Sequence, residues 1–162
     1  MSLFDEPDNP RWKLLAVAEE RLEAAPNKAA VIEVVRSTAR SVLSADGVTF
    51  VLRDGDLCHY VEEDAISPLW KGMRFPLSAC ISGWSMMNAE TAVIEDIYAD
   101  PRIPHDAYRP TFVKSLIMTP VNEPPVAAIG AYWQDRRKFT EREILAIKTL
   151  SLAVGRALAD YL

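Results

Sequence analysis

The chain has 162 residues, 49% hydrophobic and 25% charged, with a net charge of −5. That length suits one domain with a true core, and the composition is ordinary for a globular protein. The acid excess argues against non-specific binding to nucleic acid or an anionic membrane, which needs a basic face. No apolar run approaches the ~20 residues that span a bilayer.

The opening residues 1–13 have neither a basic n-region nor an apolar h-region, so no secretory signal is expected. Two cysteines, Cys58 and Cys80, need no disulfide to explain them. A cytoplasmic, reducing location is therefore expected.

Asp8 or Asn9 can cap a helix with Pro10 at its first position. Over residues 11–24, Trp12, Leu15, Ala16 and Leu22 fall roughly on one side. Pro26-Asn27 breaks the helix and restarts it. Over 28–44, Val31, Ile32, Val35, Ala39, Val42 and Leu43 recur at helical spacing, and Ala45-Asp46-Gly47 stops this second helix. A hairpin follows, 48–53 and 57–62 around the turn Asp54-Gly55-Asp56.

An irregular piece with Pro68 and Trp70 leads to a strand at 73–77 and a short helix at 81–88 carrying Gly83 and Trp84. After a strand at 91–95 comes a long loop rich in Asp, Pro, Arg and Tyr. Strands at 115–121 and 126–133 then form a second hairpin around Asn122-Glu123-Pro124-Pro125. Both are almost continuously apolar, which predicts the middle of a sheet. Thr140 and Glu143 form a capping box that opens the last helix, predicted to run to the final residue. Its Ile147, Leu150, Val154, Ala157 and Tyr161 are spaced three, four, three and four, as in a coiled-coil seam. Such a seam serves either a helix lying on its own sheet or a dimer helix continuing into a downstream domain. Strands joined by hairpins and flanked by terminal helices give an α+β fold around a central antiparallel β-sheet of about six strands.

Little here reads as catalytic. Cys58 and His59 are adjacent on a strand and point to opposite faces, so they cannot grip one metal. The two His and two Cys do not make a zinc set, and the scattered glycines make no phosphate loop. Cys80 is the candidate nucleophile, near the N-terminal end of the short helix, where the dipole can lower a thiol pKa. A buried structural cysteine is the competing reading.

Binding reads more strongly, because a long ordered loop in a compact domain tends to be functional. An apolar lining with a few polar fixings makes a small-molecule pocket. Phe75, Trp84, Met87, Ile97, Tyr98, Tyr108, Phe112 and Met118 are the candidate lining. Asp96, Arg102, Arg109 and Ser115 are the candidate polar groups, together with the free N–H groups of the short helix. The competing reading has Asp96, Asp100 and Arg102 merely knitting the loop, with Tyr108 and Phe112 filling the space beneath it.

Four stretches occur in a telling order: CISGW at 80–84, VIEDI at 93–97 followed by ADPR, YRPTFVKSL at 108–116 and AAIGAYW at 127–133. Together they resemble the GAF sensory domains, in the form found in bacterial two-component sensor histidine kinases. The resemblance spans residues 28–162 and leaves 1–27 as an N-terminal helical extension. It implies terminal helices packed on one sheet face and a loop and short-helix lid on the other.

It further implies a non-catalytic regulatory domain with an unknown small-molecule ligand. A homodimer through the terminal helices, with Ile147, Leu150, Val154, Ala157 and Tyr161 at its seam, would act on a downstream output domain such as a histidine kinase. Bilin-binding relatives attach their chromophore to a Cys that residues 105–112 lack, so no covalent bilin and no other cofactor is expected. Relatives that reduce free methionine sulfoxide carry a Cys where Ser82 stands here. Two rival readings remain: a ligand-free dimerisation and relay module, and a thiol-based methionine sulfoxide reductase using Cys80.

Overall fold

The computed structural model describes residues 10–161. The expected Asp8 or Asn9 cap lies outside them. Helix α1 (Pro10–Glu23) and helix α2 (Lys28–Leu43) lead into a six-stranded antiparallel sheet. Its strands are β1 (Gly47–Asp54), β2 (Leu57–Ala65), β3 (Arg74–Pro76), β4 (Ala92–Ile94), β5 (Ser115–Val121) and β6 (Ala127–Trp133). They lie side by side in the order β3-β2-β1-β6-β5-β4. Helix α3 (Ile81–Asn88) precedes β4, a one-turn helix α4 (His105–Tyr108) sits in the long loop, and α5 (Glu141–Leu158) follows the sheet.

Local signals explain the helix ends. The Asn27 side chain accepts from the Ala30 N–H at 2.8 Å and starts α2. At α5 the Glu143 N–H donates to the Thr140 hydroxyl at 3.2 Å and the Thr140 N–H donates to the Glu143 carboxylate at 3.0 Å. This is the reciprocal cap the sequence predicts.

Both sheet faces are covered, which is why β5 and β6 are almost continuously apolar. Ile117, Val121, Ala127, Ile129, Ala131 and Trp133 face the layer of α1, α2 and α5. Leu116, Met118, Ala128 and Tyr132 face the opposite layer of α3, α4 and the long loop. Tyr60 on β2 pairs with Val51 while Glu62 pairs with Phe50, so Val61 sits in a bulge.

On α1 the buried residues are Leu15, Ala18 and Leu22, whereas Ala16 is exposed. A helix packed by one stripe repeats every three or four residues, and Leu15, Ala18 and Leu22 keep that spacing. These side chains join the same core as α2 and α5.

The regular seam of α5 serves this core. Ile147, Leu150 and Val154 are fully buried against the chain's own sheet and helices, with Ala157 and Tyr161 packed at its edge. Read as a dimer seam, the spacing is misassigned: a 3-4 repeat describes any helix lying flat on an apolar surface. The outward face of α5 instead carries the exposed Leu145 and Leu152. Gly155 is the close-approach point, since a Cβ there would sit 2.2 Å from the Asn122 Oδ1. The Asn122 amide donates to the Gly155 carbonyl at 3.2 Å. Tyr161 donates to the Ala25 carbonyl at 2.8 Å, tying the end of α5 to the turn between α1 and α2.

Candidate functional site

Between the sheet and the lid lies a cavity of about 270 Å³. Tyr60, Trp70, Phe75 and Tyr108 form its aromatic wall, with Ala79, Cys80, Pro104, Asp106 and Ala107 completing it. A wider groove of about 630 Å³ runs between the turn after β5 and α5, but it is open and bordered by Glu90, Glu123 and Lys148. The smaller, mostly apolar cavity is the better ligand site.

Trp70 is the keystone of the wall. Its ring centroid lies 4.7 Å from Tyr108, 5.7 Å from Tyr60 and 5.6 Å from Tyr132. Tyr60 in turn meets Phe75 edge-on at 5.6 Å. Such tilted and edge-to-face pairs are the favoured aromatic geometry. Backbone hydrogen bonds fix the Trp70 segment, because the Glu63 carboxylate accepts from the N–H groups of Leu69, Trp70 and Lys71 at 2.9, 2.9 and 2.8 Å. The Trp70 indole N–H reaches the Ala107 carbonyl at 3.4 Å and so touches the lid directly.

Polar groups beneath this wall are buried and paired. The Tyr132 and Thr49 hydroxyls lie 2.8 Å apart, and those of Tyr60 and Ser82 lie 2.9 Å apart. Burial pushes the phenols of Tyr60 and Tyr108 well above their ordinary range, so both stay protonated. Ser82 also lies 3.3 Å from the Cys80 sulfur. The neighbouring Cys58 thiol lowers the Cys80 thiol, helped by the Ser82 hydroxyl and the backbone N–H groups of Gly83 and Ser82. Cys58, fully buried, is pushed up correspondingly and keeps its proton.

The lid is knitted by short-range bonds. Asp96 caps a 3-10 turn over Ile97–Ala99 by accepting from the Tyr98 N–H at 3.0 Å. The Asp100 carboxylate takes two bonds from the Arg102 guanidinium, at 3.0 and 2.7 Å, and its pKa is held down by that contact. The same guanidinium lies 4.3 Å from the Trp84 ring centroid, so it pins the loop onto α3. The His105 Nε2 lies 3.1 Å from the carbonyls of both Ile97 and Asp100.

The expected site residues therefore separate. Phe75 and Tyr108 line the cavity. Trp84, Asp96 and Arg102 hold the lid together, as just described. Met87 is 52% exposed and Tyr98 38%, both on the outer surface and outside the cavity wall. Arg109 pairs with Asp106 on the surface of α4. Phe112 lies under the lid near Gly47, and Met118 is buried under α3 beside Gly130. Ser115 donates to the Asp135 carbonyl at 2.7 Å and is structural. Tyr60, Trp70 and Ala107 escaped the sequence reading. For Tyr60 a signal existed, since strand alternation puts Cys58 and Tyr60 on one face of β2. For Trp70, in an irregular segment, there was none.

Solved structures share this architecture. One is the GAF domain of a phosphoenolpyruvate-protein phosphotransferase from Coxiella burnetii, with TM-score 0.82 and 17% identity over 96% of each chain. The chain has the GAF fold. The corresponding Acinetobacter domain matches with TM-score 0.79 and 13% identity over 94% of this chain and 95% of that one. A free methionine-R-sulfoxide reductase from Neisseria meningitidis, solved in complex with its substrate, shares the GAF fold too. There the TM-score is 0.71 and the identity 16%, over 92% of this chain and 86% of that one. No family model and no curated protein sequence matches this GAF-fold chain.

Proposed function

We propose that this chain is a sensory domain that holds a compact, uncharged, largely aromatic molecule in the cavity under the lid. One observation carries the reading: a mostly apolar, part-open cavity of about 270 Å³ walled by Tyr60, Trp70, Phe75 and Tyr108. Ligand pockets usually measure about 300–1,000 Å³, so the guest is fragment-sized rather than tetrapyrrole-sized. Asp106 is the one carboxylate in the wall and faces solvent beside Arg109, while the other group that favours a negative charge there is the Cys80 thiol. A buried anion would find no counter-charge there, and an unpaired buried charge is costly.

The guest would bridge the sheet wall and the lid wall, and the lid would pass its occupancy through the sheet to α1, α2 and α5. A ligand can shift that arrangement only by its differential affinity for the two states. The output domain we propose is a sensor histidine kinase, on the strength of the CISGW and YRPTFVKSL stretches. A cytoplasmic, non-enzymatic homodimer fits the same reading, with contacts through the outward faces of the terminal helices rather than the buried seam.

A thermal-shift screen with small neutral aromatics and their charged analogues tests it. At a hundred times its dissociation constant a ligand adds about 2.7 kcal/mol, a rise of several degrees for a domain of this size. Ala107→Trp, which fills the cavity, should abolish the rise. A hit that survives Ala107→Trp would place the ligand elsewhere.

A further inference from the structure

The side chains of Cys58 and Cys80, 22 positions apart in sequence, are neighbours, and Cys80 lines the cavity. The pairing of β2 with β3 sets Cys58 opposite Phe75 and Leu57 opposite Pro76. The chain then folds back, with the Leu77 N–H donating to the Asp56 carbonyl at 2.9 Å. This return brings the Cys80 sulfur to 3.6 Å from the Pro76 carbonyl oxygen. From Cys80 a short path leads back to β2: 3.3 Å to the Ser82 hydroxyl, then 2.9 Å to the Tyr60 hydroxyl. Tyr60 shares its strand face with Cys58.

The two thiols differ in access and in charge. Cys80 is half-buried and lines the cavity, whereas Cys58 is fully buried. The proton is held on Cys58 and the charge is favoured on Cys80, beside the open first turn of α3. An accessible, stabilised thiolate with a second thiol beside it is the arrangement of an attacking and a resolving cysteine.

We propose that Cys80 and Cys58 are an oxidisable pair, which a hydroperoxide converts to an intramolecular disulfide joining β2 to the start of α3. The Cys80 thiolate attacks the outer peroxide oxygen, an S–O bond forms and the O–O bond breaks. Sulfur loses two electrons, and the departing alkoxide or hydroxide takes a proton from water. The Cys58 sulfur then attacks the Cys80 sulfenic sulfur, forming the S–S bond as the S–O bond breaks. The leaving hydroxide takes the Cys58 proton and departs as water. A dithiol reverses the change by exchange. None of these steps requires a ligand in the cavity.

The test uses the full chain, reduced and then exposed to a modest excess of hydrogen peroxide. Free thiols should fall from two to none, and non-reducing peptide mapping should recover a Cys58–Cys80 cross-link that dithiothreitol removes. Cys80→Ser should leave Cys58 as a thiol under the same treatment. Cys58→Ala should let dimedone trap the sulfenic acid at Cys80. Should that variant not fold, the cross-link map of the unaltered chain decides alone. A disulfide between two chains through Cys80, or oxidation that begins at Cys58, would overturn the proposal. So would survival of both thiols under conditions that oxidise the unfolded chain.

Discussion

The Tyr60 hydroxyl, on the sheet, lies 2.9 Å from the Ser82 hydroxyl in the first turn of α3, and both are buried. This pair links the floor of the cavity to its lid through a contact that water does not reach. Tyr60→Phe should cost about 1 kcal/mol, the usual net value of a hydrogen bond, because Ser82 keeps Cys80 as a second neighbour. Urea unfolding measures it. Tyr60→Phe combined with Ser82→Ala should cost less than the sum of the two, and strict additivity would deny the link.

Gly83 is required by close approach. A Cβ there would fall 1.8 Å from the Leu77 carbonyl oxygen, a backbone atom that cannot step aside. Gly83→Ala should therefore destabilise by about 3 kcal/mol or more. Gly155→Ala should cost less, since its clash is with the Asn122 side chain. Thermal unfolding of both variants gives the order.

Leu150 and Leu152 sit two residues apart on α5 with opposite fates, one fully buried and the other 64% exposed. Leu150→Ala should cost about 2–5 kcal/mol, and Leu152→Ala should stay within about 0.5 kcal/mol. If the outward face makes a dimer, light scattering of Leu145→Glu combined with Leu152→Glu should show weaker association with an unchanged unfolding midpoint. Unaltered association would move the dimer contact off this face.

The Cys80 thiol is lowered to about 6. Alkylation needs the thiolate, so the iodoacetamide rate at Cys80 should rise through pH 6 and level off above it, well below the ordinary thiol range of about 8.5. Mass spectrometry of the labelled peptide follows it. Cys58 should remain unlabelled in the folded protein throughout, its pKa being raised and its side chain buried.

Arg102 ties Asp100 to Trp84 across the lid. Arg102→Gln should speed amide hydrogen exchange in residues 96–108 and leave β5 and β6 protected. The Asp100 pKa is lowered by this contact. Its stabilising contribution is therefore full above the ordinary carboxylate range, at about pH 4, and is lost as the pH falls through the lower folded value. Acid should loosen the lid of the native chain and leave that of Arg102→Gln less affected.

Much of the fold was legible because its signals are local. Thr140 with Glu143, Asn27, and the apolar runs at 115–121 and 126–133 declare caps and buried strands through near neighbours. The cavity was less legible, because its wall comes from distant segments. Phe75 and Tyr108 could be guessed from composition, but Trp70 enters through the Glu63 carboxylate, a contact with no sequence pattern. Met87 and Tyr98 look like lining by type and are placed outside by helix and turn geometry. Cys58 seemed remote from Cys80 until the β2–β3 pairing and the return of the chain at Leu77 brought them together.

Ile117 and Met118 are chain neighbours, yet one faces the α1, α2 and α5 layer and the other faces the lid layer. The sheet is thus a partition one residue thick, and a pair of adjacent methyl groups samples two rooms at once. In a methyl-resolved spectrum, an event confined to the cavity would reach the Met118 signal first. It would appear at Ile117 only when the partition itself had moved.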